Sequence, residues 1–336
     1  MNDRHPTVAE KTAPSPIAPQ RRLSLDLPPP LIMGGLGLIA CFGWPLYQWL
    51  RFALESDLYS YTLLVPFVSG YLFVTDRKST PQFLASGRGV PGARPNPAGA
   101  DKPRPDTGKT LALLLSAAGM VALGGFWYGK LSGVKLVPQD AAAFMTLPFV
   151  LLLAGAFAWG LKPGEFKRAA FPLTFLLFMV PIPLAMEHAI EAFLQHGSAP
   201  PAYWLFNLVG TPVFKQDLVF NLPGITIQIA PECSGIRSTL VLFITSVLAG
   251  HLFLRSPWKR AVLTLVVIPL ALARNGFRVF TIGQLCVSVG PHMIDSPIHH
   301  RGGPIFFALS LVPFFILVFF LVRSDRSKSN TKQPVS

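Results

Sequence analysis

Charge is scarce in this chain. Only 13% of its 336 residues are Asp, Glu, Lys or Arg, about half the share of an ordinary soluble domain. Hydrophobic residues make up 51%, and several apolar runs are long enough to cross a bilayer as helices. Together these indicate an integral membrane protein rather than a soluble enzyme. Cysteine is scarce too. The three cysteines have no paired spacing, which argues against a disulfide framework or a zinc site. No P-loop, dinucleotide fingerprint, G-x-S-x-G elbow, H-E-x-x-H helix or nucleic-acid motif occurs. No internal repeat stands out, which weighs against a transporter built from two halves. A cleavable signal peptide is not visible. The N-terminus is polar and Pro-rich, and Leu31–Leu50 is long enough to stay as an anchor.

What is present is a series of apolar runs: Leu31–Leu50, Leu58–Thr75, Thr110–Tyr128, Ala141–Leu161, Ala169–Met186 (interrupted by Pro181 and Pro183), Ile236–Leu254, a run from near Lys259 to about Val289, and Gly303–Val322. They predict an all-α polytopic bundle of about eight transmembrane helices over residues 31–322. Residues 1–30 read as a disordered cytoplasmic tail, Asp76–Lys109 as a flexible cytoplasmic loop rich in Pro and Gly, and 323–336 as a second tail. The net charge of +13 fits basic residues gathered in cytoplasmic loops better than a nucleic-acid partner. With both termini inside, 21 of the 29 Lys and Arg fall on inner segments. Residues 187–234 then form an extracytoplasmic insertion before the sixth span. Cys233, Asp295, His299 and His300 lie on that outer side.

The insertion has a pattern. Apolar residues at 186, 189, 190, 193 and 194, with Glu187, His188 and Glu191 opposite, predict an interfacial helix over Met186–Gln195. Pro200 and Pro201 should break it, with a second short helix at Tyr203–Gly210. Pro212–Phe220, a turn at Asn221–Gly224 and Ile225–Ala230 read as a hairpin that delivers Cys233 to the sixth span.

Cys233 sits at or just before the start of that span, where free helix amides favour a thiolate. Arg237 shares its face if the helix begins early. Two bland readings stay open: a small packing residue, or half of a disulfide with Cys286. Arg278 lies 19 residues beyond Lys259, about 28 Å along a helix through a core of roughly 30 Å, hence near the outer boundary. Arg274, Asn275 and Arg278 share one face, and ionisable residues in a span are costly and usually functional; snorkelling is the alternative. His299 and His300 could exchange protons with a thiol or an amine, or simply be solvated loop residues. His292, Asp295, His299 and His300 could be metal ligands, but no helical metal motif accompanies them, and neither a metal nor a cofactor is expected. A thiol, a guanidinium and an imidazole on three outward helix ends suit acyl transfer. The competing reading is a transporter or lipid-carrier protein that holds an anionic head group through Arg274 and Arg278.

The sequence resembles the exosortase/archaeosortase family of polytopic membrane cysteine transpeptidases. P-E-C-S-G-I-R-S at Pro231–Ser238 is similar to the family's nucleophile block. A-R-N-G-F-R-V at Ala273–Val279 resembles its N-x-x-R block, and H-H-R-G-G-P-I-F-F at His299–Phe307 its H-x-x-x-G block. L-Y-S-Y-T-L-L-V-P-F-V-S-G-Y-L at Leu58–Leu72 and L-F-N-L-V-G-T-P-V at Leu205–Val213 resemble further family segments. The resemblance implies Cys233 as nucleophile, Arg278 and His299 as its catalytic partners, and Arg237, Asn275 and His300 in support. It implies exported substrate proteins with a C-terminal signal: a short motif such as Pro-Glu-Pro, a membrane helix, then a basic cluster. Cleavage would fall on the outer face of the inner membrane, with transfer to a surface polysaccharide or lipid acceptor. The chain departs from the family pattern at His300, where the family often has an acidic residue, and Arg274 has no assigned role.

Overall fold

The computed structural model describes residues 29–78, 107–161, 163–296 and 302–330. Ten α-helices and one small sheet make up the described chain. They are α1 (Pro29–Cys41), α2 (Gly43–Glu55), α3 (Val65–Lys78), α4 (Thr107–Leu131), α5 (Pro138–Gly160), α6 (Pro163–Phe175), α7 (Leu184–Val209), α8 (Ile236–Phe253), α9 (Pro257–Ser288) and α10 (Gly303–Asn330). The all-α membrane class expected from composition is the class observed. Among the described residues, five helices are long and apolar enough to cross a membrane, or up to seven if each of two bent pairs is one span. The segment Ser60–Thr75, where the second span was expected, is a shorter apolar helix that does not reach that length.

The first expected span is broken. α1 and α2 meet at 67° around Phe42. Pro45 lies in the first turn of α2 and has no amide to offer the Cys41 carbonyl, so the helical ladder is interrupted there. The fifth expected span is cut as well. After a 3-10 turn at Leu176–Met179 the chain runs extended through Pro181 and Pro183, and α7 leaves at 90° to the preceding helix. Leu184–Met186 therefore open α7 and do not end the fifth span. The breaks are secured by side chains from neighbouring helices. Trp49 Nε1 donates to Met179 O at 3.0 Å, and Ser69 Oγ donates to Pro172 O at 2.7 Å. Such bonds satisfy backbone groups that lipid cannot.

α7 corrects the expected pair of short helices. It continues unbroken through Pro200 and Pro201 for 26 residues. The prolines remove two rungs of the ladder, but the face around them is packed against α9: Ala199, Ala202 and Phe206 are buried, and a Cβ built at Gly276 would come within 2.7 Å of Pro201 Cβ and 2.9 Å of Ser198 O. Tertiary packing overrides the local signal. The C-terminus is closed by Gly210 at φ 75°, a left-handed cap.

The expected hairpin is a three-stranded antiparallel meander, β1 (Phe214–Gln216), β2 (Val219–Leu222) and β3 (Ile225–Gln228). Pro212–Phe220 is not one strand, because the chain folds back at Asp217, a non-glycine residue with φ 53°. Aspartate tolerates that conformation better than most residues. The second turn, Pro223–Gly224, falls inside the expected Asn221–Gly224. β2 pairs with β3 in the register Phe220↔Ile227 and Leu222↔Ile225. These residues share one sheet face, and Phe220, Leu222 and Ile227 are buried in a core with Phe206 of α7 and Val279 of α9. A separate core joins α8, α9 and α10 around Leu242, Leu263 and Phe314.

Candidate functional site

β3 runs towards α8 and is pinned at its end. Gln195 Nε2 of α7 donates to Ile229 O at 2.9 Å, and the Ile229 amide donates to Leu218 O at 3.0 Å. Pro231–Cys233 then form a single 3-10 turn. Ser234 follows, and Gly235 at φ 74° starts α8 at Ile236. Cys233 therefore precedes the helix instead of lying in its first turn. The helical spacing that would align it with Arg237 does not apply.

Gly235 is required twice over. Its φ lies in the left-handed region, which costs an L-residue about 1–2 kcal/mol. A Cβ there would also meet Arg274 Nη2 at 3.1 Å and Asn275 Oδ1 at 3.2 Å. The turn after the cysteine is thus pressed onto α9. Asn275, 2% exposed, donates from Nδ2 to Ser198 Oγ of α7 at 3.1 Å. Arg274 Nη2 donates to Gly235 O at 3.2 Å and to Thr239 Oγ1 at 3.0 Å. One polar knot therefore joins α7, α8 and α9 directly behind the cysteine turn.

Cys233 and Arg278 line the same small cavity, about 40 Å³ in volume. β3 and the segment after it contribute Ile227, Gln228 and Ile229, α9 contributes Val279 and Ile282, and the 3-10 turn Pro291–Asp295 contributes Ile294. The space holds a water or two, and most of its walls are hydrocarbon. A cation beside a thiol in such surroundings acts more strongly than it would in water.

The remaining candidates lie elsewhere. Arg237 is not in the cavity lining; its Nη1 is 3.7 Å from Asp57 Oδ1, with both side chains largely exposed. Asn275 stands behind the cavity in the knot with Ser198. Cys286 is buried and free, as is exposed Cys41, so the disulfide alternative for Cys233 does not hold. His292 and Asp295 are exposed, and no metal-binding group of three or more His, Cys, Asp or Glu occurs among the described residues. His299 and His300 fall outside the described residues, as do the tail 1–28 and the loop 79–106. Ile294, five positions before His299 in the chain, is part of the cavity wall.

Sequence reasoning missed Gln195, Ser198 and Thr239. Thr239 had a faint signal, falling one helical turn after Gly235. Ser198 and Gln195 had none, because only the crossing of α7 over α9 brings them in.

Comparison with curated proteins and with solved structures finds no match. The family model described as "Transmembrane exosortase" matches residues 49–316, which covers every element from α3 to α9, the first half of α10 and both sides of the cavity. This chain belongs to the transmembrane exosortase family.

Proposed function

We propose that this family member is a membrane cysteine transpeptidase that cleaves exported proteins at a C-terminal sorting signal and passes the product to a surface acceptor. The observation that carries this reading is the shared cavity: Cys233 from the turn before α8 and Arg278 from α9, 45 residues apart in sequence, face one space. Family membership supports the coarse activity of a protein-sorting transpeptidase.

The chemistry follows from the groups. The Cys233 thiolate attacks the substrate's peptide carbonyl, and a C–S bond forms as the carbonyl becomes an oxyanion. The Arg278 guanidinium stabilises that charge. Collapse breaks the C–N bond, and His299, carrying the proton taken from the Cys233 thiol, protonates the leaving amine, which departs with the signal helix. A thioester remains on Cys233. The acceptor's nucleophile then attacks it and releases the thiol; water doing the same gives simple hydrolysis. Asn275 supports Arg278 by fixing α9 against α7. Arg237 and His300 stay as supporting candidates.

The topology belongs to the same proposal. Both termini are cytoplasmic, the eight apolar segments all cross, including the short Ser60–Thr75, and residues 187–234 form the extracytoplasmic insertion. The right angle between α6 and α7 suits an α7 that lies along the outer interface. The head-group reading is weakened because Arg274 already spends one nitrogen on Gly235 and Thr239.

The test is processing of an exported reporter that carries a C-terminal Pro-Glu-Pro motif, an apolar helix and a basic cluster. Cys233→Ala should leave it full-length and membrane-tethered, while Cys286→Ala should process it normally. Arg278→Lys should lose most activity, because a point charge does not replace a planar two-nitrogen clamp. Equal processing by the Cys233→Ala and Cys286→Ala variants removes the enzyme claim.

A further inference from the structure

The sequence leaves Arg274 without a role, and the cavity does not include it. It lies one helical turn before Arg278 on α9 and is 7% exposed. Among the described residues no carboxylate pairs with it, and its Nη1 is buried without a hydrogen-bond partner. A half-satisfied guanidinium buried in a helix long and apolar enough to cross a membrane opposes folding. Snorkelling does not account for it, since the head group is buried instead of reaching water. Packing does not account for it either, since an apolar side chain such as methionine would replace the aliphatic stem and carry no charge to desolvate.

Its contacts are specific. Nη2 alone donates to both Gly235 O (3.2 Å) and Thr239 Oγ1 (3.0 Å). Thr239 Oγ1 in turn donates to Gly235 O at 2.8 Å, and the Thr239 amide donates to the same carbonyl at 3.0 Å. That carbonyl belongs to Gly235, the left-handed residue two positions after Cys233 that joins the cysteine turn to α8.

We propose that Arg274 is a positioning residue for Cys233. Its guanidinium clamps the Gly235 carbonyl and the Thr239 hydroxyl, and so holds the Cys233–Gly235 turn against α9 with the thiol on the cavity that Arg278 lines. The proposal rests on Cys233 acting as the nucleophile. It adds a third α9 residue to the machinery, acting through the backbone and not on the substrate. Because one nitrogen makes both contacts, a lysine can replace them with its single ammonium, whereas methionine keeps only the aliphatic stem and makes neither.

The experiment uses the full chain reconstituted in liposomes with the same reporter. Arg274→Met, Arg274→Lys and Thr239→Val are compared, with kcat expressed per folded, monodisperse protein. Arg274→Met should lower kcat at least tenfold with KM within about threefold of the original. Arg274→Lys should recover much of that loss, and Thr239→Val should fall between. If Arg274→Met does not fold, Thr239→Val carries the test, and an unchanged kcat in that folded variant overturns the proposal. A folded Arg274→Met with unchanged kcat overturns the proposal, as do lysine and methionine variants with equal defects, which would mark a purely structural residue. A wild-type protein that cleaves no reporter in a Cys233-dependent way refutes the functional reading instead.

Discussion

Replacing Gly235 by alanine tests how the cysteine turn is held. Two penalties apply. A φ of 74° costs a non-glycine residue about 1–2 kcal/mol. The new Cβ would also sit 3.1 Å from Arg274 Nη2 and 3.2 Å from Asn275 Oδ1. Those atoms are fixed by Thr239 and Ser198, so relief must come from a shift of the turn by a few tenths of an ångström, adding about 1 kcal/mol. The sum is about 2–3 kcal/mol, concentrated where Cys233 meets α9. The control is Gly224→Ala. Gly224 has φ 80° but nothing within 4 Å of its Cβ position, so only the first penalty applies. Thermal unfolding of the purified protein should show a larger loss for Gly235→Ala than for Gly224→Ala. Reporter processing should separate them further. A misplacement of 1 Å can cost about a hundredfold in rate, so a fraction of that at Cys233 should cost about tenfold, while Gly224→Ala stays within about twofold. Equal processing by the two variants would refute the idea that α9 holds the turn.

Two further predictions concern the frame around the site. Tyr59, 1% exposed, donates to Glu187 Oε2 at 2.5 Å and accepts from Gln139 Nε2 at 3.0 Å, tying the link after α2 to the starts of α5 and α7. Tyr59→Phe should destabilise the protein by about 1–3 kcal/mol, read as a lower thermal midpoint; an unchanged midpoint would show that the cluster does not brace the α6–α7 bend. At the other end of α9, Lys259 Nζ lies 2.8 Å from Asp325 Oδ1, with side chains 11% and 13% exposed. Lys259→Met should lower the midpoint by leaving the carboxylate without its cation, and Lys259→Met with Asp325→Leu should recover part of the loss. If the double variant is no better than the single one, the pair is not what joins α9 to α10.

The sequence by itself determined the membrane class, most of the stretches that become apolar helices, and the family. These are properties of composition and local order. Sparse charge and long apolar runs leave no other solvent for the chain, and a motif is legible wherever its residues are contiguous. Even the meeting of Arg278 with Cys233 at one cavity was within reach, because a helix of known rise converts residue count into position along its axis.

Tertiary structure alone decided the rest. Two prolines that should end α7 do not, because α9 packs against that stretch and holds it. One expected strand folds back at Asp217, and two expected spans bend, at Pro45 and at Pro181–Pro183. The polar knot of Ser198, Asn275, Arg274, Thr239 and Gly235 draws on three helices. No sequence spacing encodes it, since contacts between distant segments depend on how closely backbones approach, and here small residues such as Gly276 and Gly235 set that distance.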